Sequence, residues 1–84
     1  MTTLAVEHHP QALAVTFDDS SLIVDLIDGR TISVPLSWFP VLSQASESQL
    51  KEWELLGDGE GIHWPQLDED LSVSGLLAGN RSRV

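Results

Sequence analysis

Between Gly57 and Val73 the chain reads GDGEGIHWPQLDEDLSV, a run of glycines and carboxylates that also holds His63 and Trp64, and no basic residue occurs between Lys51 and Arg81. Oxygen donors at that density are what a hard divalent cation takes, and Asp58, Glu60, Asp68, Glu69 and Asp70 are the candidates. The EF-hand pattern fails on them. With Asp58 in first place, Ile62 and His63 stand where a ligand and the turn glycine belong. His63 is chemically able to ligate a metal, carry a proton or bond a nearby carboxylate. Strand alternation puts it on the face opposite Ile62 and Trp64, and a local bond to Asp68 or Asp70 is the preferred reading. The Gly57-x-Gly59-x-Gly61 spacing has only a surface likeness to a phosphate cradle. Its interposed residues are Asp58 and Glu60, and no P-loop lysine follows, so a sharp turn accounts for it better.

Nucleophilic catalysis needs a nucleophile, a base beside it and a group that stabilises the developing charge. The chain has no cysteine, and Val73-Ser74-Gly75 is only a fragment of a nucleophile elbow. A core this small also leaves little room for a ligand pocket in the usual range of about 300 to 1,000 Å³. The expectation is a non-enzymatic protein with no cofactor and no metal. The aromatic residues Trp38, Phe39, Trp53 and Trp64 are numerous for 84 residues. Trp53 is expected in the core, whereas Trp38 and Trp64 have prolines close by, so one of them is a candidate interface anchor. The expected partner surface is therefore Trp38, Asp58, Glu60, His63, Trp64, Asp68, Glu69 and Asp70.

Thirteen acidic against four basic residues give a net charge of -9. That sign repels phosphate backbones and anionic membranes, which argues against direct nucleic-acid or membrane binding, and it steers a small basic protein inward. The start, MTTLAVEHHPQ, has neither the basic residues nor the apolar run of a signal peptide, and no apolar stretch approaches the roughly 20 residues of a membrane span. A cytoplasmic location is expected. The length suits one domain, residues 1–84, with an ordered core over about 12–79 and a flexible tail at 80–84.

The elements that must position these residues follow from periodicity. Val15 and Phe17, then Leu22, Val24 and Leu26, then Ile32 and Val34 recur at spacing two, the period of a half-buried strand. The connection Asp18 to Ser21 sets Phe17 opposite Leu22 and Val15 opposite Val24. A two-residue Asp28-Gly29 turn would send Ile32 and Val34 to the wrong face. A three-residue loop, Ile27-Asp28-Gly29, restores the parity, pairing Leu26 with Arg30, Val24 with Ile32 and Leu22 with Val34, with Gly29 left-handed. Pro35 ends the third strand, and LSWFPVL beyond it reads as a short helical turn or buried loop. Ser46 and Gln49 have capping-box spacing for a helix that turns Leu50 and Trp53 inward. Glu54-Leu55-Leu56 and Ile62-His63-Trp64 read as two extended pieces about the glycine turn. Ser72 caps a brief helix through Leu76 and Leu77, which Gly79 ends. The fold class is α+β: a small antiparallel sheet, made of an N-terminal three-stranded meander plus a later hairpin, packed with one main helix and a short C-terminal helix.

With those residues in hand, the chain resembles a bacterial family catalogued as domain of unknown function 2442. The resemblance is carried by Asp28-Gly29-Arg30, by Val34-Pro35-Leu36-Ser37-Trp38-Phe39-Pro40, and above all by Gly59-x-Gly61-Ile62-His63-Trp64 with Leu67-Asp68-Glu69-Asp70-Leu71-Ser72-Val73. It spans about Val15 to Gly79 and implies a small α+β fold with no established activity. It also implies a genetic pairing with a second small protein, domain of unknown function 4160, organised as toxins and antitoxins are. An antitoxin-like acidic subunit is then the leading expectation. The rivals are a metal- or small-ligand-binding domain built on His63 and nearby carboxylates, and a self-associating structural or regulatory domain, such as a homodimer through an exposed sheet edge.

Overall fold

A computed structural model describes residues 10–80. Strand alternation in the first half produces the meander expected of it: β1 (Ala12–Phe17), β2 (Ser21–Leu26) and β3 (Thr31–Pro35) form one antiparallel sheet in that order. Phe17 faces Leu22 and Val15 faces Val24 across the first pair. The carboxylate of Asp18 accepts the backbone N–H groups of Ser20 and Ser21 at 3.0 and 2.8 Å, closing the connection as an Asx turn. In the second pair Leu22 faces Val34 and Val24 faces Ile32. The Leu26 N–H donates to the Arg30 carbonyl at 2.8 Å, and Gly29 has φ +99°, so the three-residue loop is the one formed. Asp28 accepts both the backbone N–H and the Nε of Arg30, at 3.0 and 2.9 Å. The backbone bond is the main reason its carboxyl is held below the ordinary aspartate value.

Leu36–Trp38 forms a single 3₁₀ turn after Pro35, and the helices that follow are α1 (Pro40–Ser43), α2 (Glu47–Leu50) and α3 (Val73–Leu77). The expected main helix is thus a correction. The capping box on α2 is complete, with Ser46 Oγ accepting from the Gln49 N–H at 3.2 Å and Gln49 Oε1 accepting from the Ser46 N–H at 2.9 Å. Yet α2 ends at Leu50, because the chain turns into a strand from Glu54, and the Leu50 carbonyl that a further helical turn would have used accepts the indole N–H of Trp64 at 3.1 Å. Trp53 lies past the helix end, half-buried against the core. The Ser72 cap on α3 also forms, Oγ accepting from the Gly75 N–H at 2.9 Å. The far end closes as a Schellman motif, with Gly79 N–H on the Leu76 carbonyl and Asn80 N–H on the Gly75 carbonyl, at 3.1 and 2.9 Å. Asn80, expected in the flexible tail, therefore belongs to the helix cap. The remainder of that tail, 81–84, lies outside the described residues.

The later hairpin is also larger than expected. β4 (Glu54–Leu56), β5 (Gly61–Trp64) and β6 (Glu69–Ser72) make a second three-stranded antiparallel sheet. One core joins the two sheets: Val15, Leu22, Val24 and Leu26 from the first, Ile62 and Trp64 from the second, and Phe39, Leu42, Val73 and Leu76 from the helical segments. Phe17 and Trp64 meet edge to face with ring centroids 6.3 Å apart. The backbone also bridges the sheets, since the Ala12 N–H donates to the Gly59 carbonyl at 2.6 Å. Among the described residues no helix is long and apolar enough to cross a membrane.

Candidate functional site

Pairing within the second sheet decides where each candidate residue goes. Glu54 faces His63 across β4 and β5, and His63 faces Asp70 across β5 and β6. These three side chains form one row on the outward face, because Leu55, Ile62 and Leu71 share the alternate row that packs on the core. Asp58 and Glu60 stand exposed in the turn between β4 and β5. Asp68 is exposed at the end of the β5 to β6 turn with φ +52°, a left-handed conformation that aspartate tolerates better than most residues. His63, expected opposite Ile62 and Trp64 and bonded to a neighbouring carboxylate, pairs through Nδ1 with Asp70 Oδ1.

Three candidates sit differently from expectation. Trp64 cannot anchor a partner: it is 0% exposed, and its indole N–H is taken by Leu50. Pro65 follows it as part of a turn, so the proline neighbour says nothing of exposure. Trp38 is half-buried and packs against the core. Glu69 faces Trp64 across β5 and β6, on the inward row, and is half-buried. Burial first, then the charges of Asp70 and Asp68, push its carboxyl above the ordinary glutamate value. Glu54 is the member of the outward row that sequence reasoning left off. Carrying strand parity across the glycine turn, from His63 back to Glu54, was the signal for it.

Hydrogen bonding to Asp70 holds the His63 imidazolium, with the charges of Glu54 and Asp68 adding to it and burial opposing, so its pKa lies above the ordinary histidine value. A raised folded-state value has a definite sign. The stabilisation is complete below the unfolded value of about 6.5 and disappears as pH rises through the folded one. Urea midpoints should fall from about pH 6 to about pH 8.5, and His63→Gln should flatten that fall. A wild-type curve that is already flat in this window would refute the linkage. Glu69 acts in the same direction in the lower, carboxylate range, while Asp28 acts oppositely, its contribution being lost as pH falls through its depressed value.

Among the described residues no group of three or more histidine, cysteine, aspartate or glutamate side chains converges as a metal site would require. Among the described residues the Asp58 and Asp68 clusters thus do not come together around one point, as the hard-cation reading of their oxygen donors would need. Open grooves do exist where a small core suggested little room. One of about 530 Å³ runs past Ser20, Ser33, Ser37 and Ser43, and one of about 350 Å³ lies between β6 and α3.

A family model described as "Protein of unknown function (DUF2442)" matches residues 12–82. The chain belongs to the DUF2442 family. No curated protein matches it. Two solved structures share this DUF2442 chain's fold. A protein of unknown function from Rhodospirillum rubrum is 40% identical, with a TM-score of 0.79, over 90% of this chain and 94% of that one. An uncharacterised protein from Chromobacterium violaceum is 25% identical, with a TM-score of 0.74, over 88% of this chain and 70% of that one. Within the DUF2442 chain the motif residues have distinct physical jobs: Gly59 meets β1, Ile62 and Trp64 fill the core, and His63 and Asp70 pair on the outside.

Proposed function

We propose that this DUF2442 protein is a non-catalytic interaction module that binds a small basic protein, as an antitoxin-like subunit would, through the outward face of its second sheet. The observation that carries the reading is the row Glu54, His63, Asp70, bordered by Asp58 and Glu60 at one turn and Asp68 at the other. The basic residues among the described ones, Arg30 and Lys51, are each engaged elsewhere. Arg30 Nε lies 2.9 Å from Asp28, and Lys51 Nζ lies 3.9 Å from Glu47. The acidic row is left without cations of its own apart from His63. A second copy of the chain would bring like charges together, so the charge favours a basic partner over self-association.

The test is affinity capture of the tagged protein from its native cells, repeated as salt rises from about 0.1 M to about 0.5 M, where the screening length falls by half. A small basic protein should be recovered in stoichiometric amount at low salt and lost at high salt. The double variant Asp58→Lys with Glu60→Lys should weaken that complex at least about tenfold with an unchanged circular dichroism spectrum, since both side chains are exposed. Recovery of the chain alone, or of a partner indifferent to salt and to the variant, would overturn the reading.

A further inference from the structure

The outer edge of β1 is an unpaired strand beside an apolar groove. Antiparallel pairs alternate between those that exchange backbone hydrogen bonds and those that do not, and the Asp18 N–H donating to the Ser21 carbonyl at 3.1 Å sets the phase. Thr16 and Ile23 then exchange bonds, whereas Val15 and Phe17, opposite Val24 and Leu22, turn their N–H and carbonyl groups away from β2. At Ala12 that outer edge is taken, its N–H donating to the Gly59 carbonyl. Among the described residues nothing bonds the outer backbone groups of Val15 and Phe17. A groove of about 250 Å³ runs there, with Val15, Thr16 and Phe17 on one bank and Leu50, Lys51 and Trp53 on the other. Three consecutive β1 residues line it and no β2 residue does, so it follows the strand's edge. Phe17, Leu50 and Trp53 are half-buried and give it apolar walls. The other outer strands are guarded. β3 ends in Pro35, which has no N–H, β4 has only three residues, and β6 carries Glu69 and Asp70.

We infer that the β1 edge docks an extended segment of a partner protein, added antiparallel as a fourth strand, with apolar side chains at spacing two in the groove and basic residues flanking them. Strand addition draws affinity from backbone bonds and selectivity from alternate side chains. Residues opposite Val15 and Phe17 share the inward face, so the same two residues of the segment bond the backbone and meet Phe17, Leu50 and Trp53. Charge selects the flanks. Asp18 and Asp19 continue from Phe17, and Glu47, Glu52 and Glu54 stand exposed around the opposite bank, against Lys51 as the cation there. Two other occupants fit worse. A strand of this chain returning from Pro10 would have to start at Ala12, where the Gly59 turn already holds the edge. The sheet edge of a second folded copy would need the space that α2 and Trp53 occupy, and would set like carboxylates against each other. The docking edge lies on the first sheet and stands independently of the acidic row on the second.

Two-dimensional amide NMR of the full chain tests it, with the acetylated and amidated peptide Arg-Val-Thr-Val-Arg as probe. Saturable shifts centred on Val15 to Phe17 and on residues 47–53 are expected. N-methylation of both valines removes the two donors that face β1 and should weaken binding at least about tenfold, whereas N-methylation of the threonine, whose N–H faces away, should change it less than about threefold. Replacing both arginines by glutamate should weaken binding about tenfold. No saturable shifts, shifts centred on β3 or β6, indifference to valine N-methylation, or equal binding of the glutamate peptide would each overturn the docking edge. So would two findings in the free chain. Overhauser contacts from residues 1–9 to Thr16 and Phe17 would put its own start in the groove, and shifts of Val15 and Phe17 that grow with protein concentration would put a second copy there. Salt-sensitive capture of a basic protein without peptide binding sinks the docking edge alone, whereas peptide binding at β1 without any captured basic protein sinks the acidic-face reading alone.

Discussion

Gly59→Ala should lower the unfolding free energy by about 3 to 5 kcal/mol, while Gly57→Ala, two residues away in the same turn, should cost about 1 kcal/mol. Both glycines have positive φ, +94° and +60°. Around Gly57 an added Cβ meets nothing within 4 Å, so only the left-handed backbone is penalised. At Gly59 the same atom would lie 2.5 Å from the Ala12 carbonyl oxygen and 3.0 Å from the Ala12 nitrogen. Both are backbone atoms of β1 and have no rotamer by which to give way. Relieving the clash separates the turn from β1, which breaks the 2.6 Å bond from the Ala12 N–H to the Gly59 carbonyl and loosens the join between the sheets. For a domain of this size about 3 kcal/mol corresponds to a fall of roughly 12 to 24 °C in Tm. Thermal unfolding of the two variants side by side is decisive, since equal small losses would show that the close approach at Gly59 is not a constraint.

That contrast also shows where reading the sequence stops. The glycine spacing announced a turn, and Ile62 and Trp64 in alternation with His63 announced which face pointed out. What β1 does at Gly59 is a contact between segments far apart in sequence, and no local pattern carries it. The β2–β3 pair was legible to the register because Leu22, Val24 and Leu26 on one strand and Ile32 and Val34 on the next permit only one parity, whereas the irregularity between Ala12 and Ala14 in β1 had no such signal. β6 was not, because Glu69-Asp70-Leu71-Ser72 has a single apolar residue, and its strand character comes from pairing with β5. The acidic run therefore read as one exposed surface, although pairing divides it, sending Glu69 inward beside Trp64 and Asp70 outward to His63. The helices were misjudged for a related reason. A complete capping box on Ser46 and Gln49 promised a longer α2, but the chain from Glu54 pairs as β4 instead, and the Leu50 carbonyl left at the helix end is satisfied by Trp64 from the next strand.

Trp64 shows most plainly why composition alone misleads about a site. As a tryptophan beside a proline in an acidic segment it resembled an interface anchor, and the consequence of that reading would be a variant that loses binding but folds normally. Its position at 0% exposure predicts the opposite. Trp64→Ala should remove about 3 to 5 kcal/mol, through lost burial and the cavity left between Phe17 and the helical segments. An 84-residue domain has only about 4 to 12 kcal/mol in total, so much of this variant should be unfolded at 37 °C. Trp64→Phe separates the two contributions of the ring. It keeps an aromatic partner for Phe17 but removes the N–H that satisfies the Leu50 carbonyl, so a smaller loss of about 1 to 2 kcal/mol is expected, with fraying of α2 and the Trp53 segment. Urea unfolding gives the magnitudes, and amide exchange at residues 47–53 reads the local effect. If Trp64→Ala instead kept wild-type stability, Trp64 would not be a core residue and the surface-anchor reading would have to be restored. If Trp64→Phe lost as much as Trp64→Ala, the indole N–H, not the ring's volume, would be the main tie between β5 and α2.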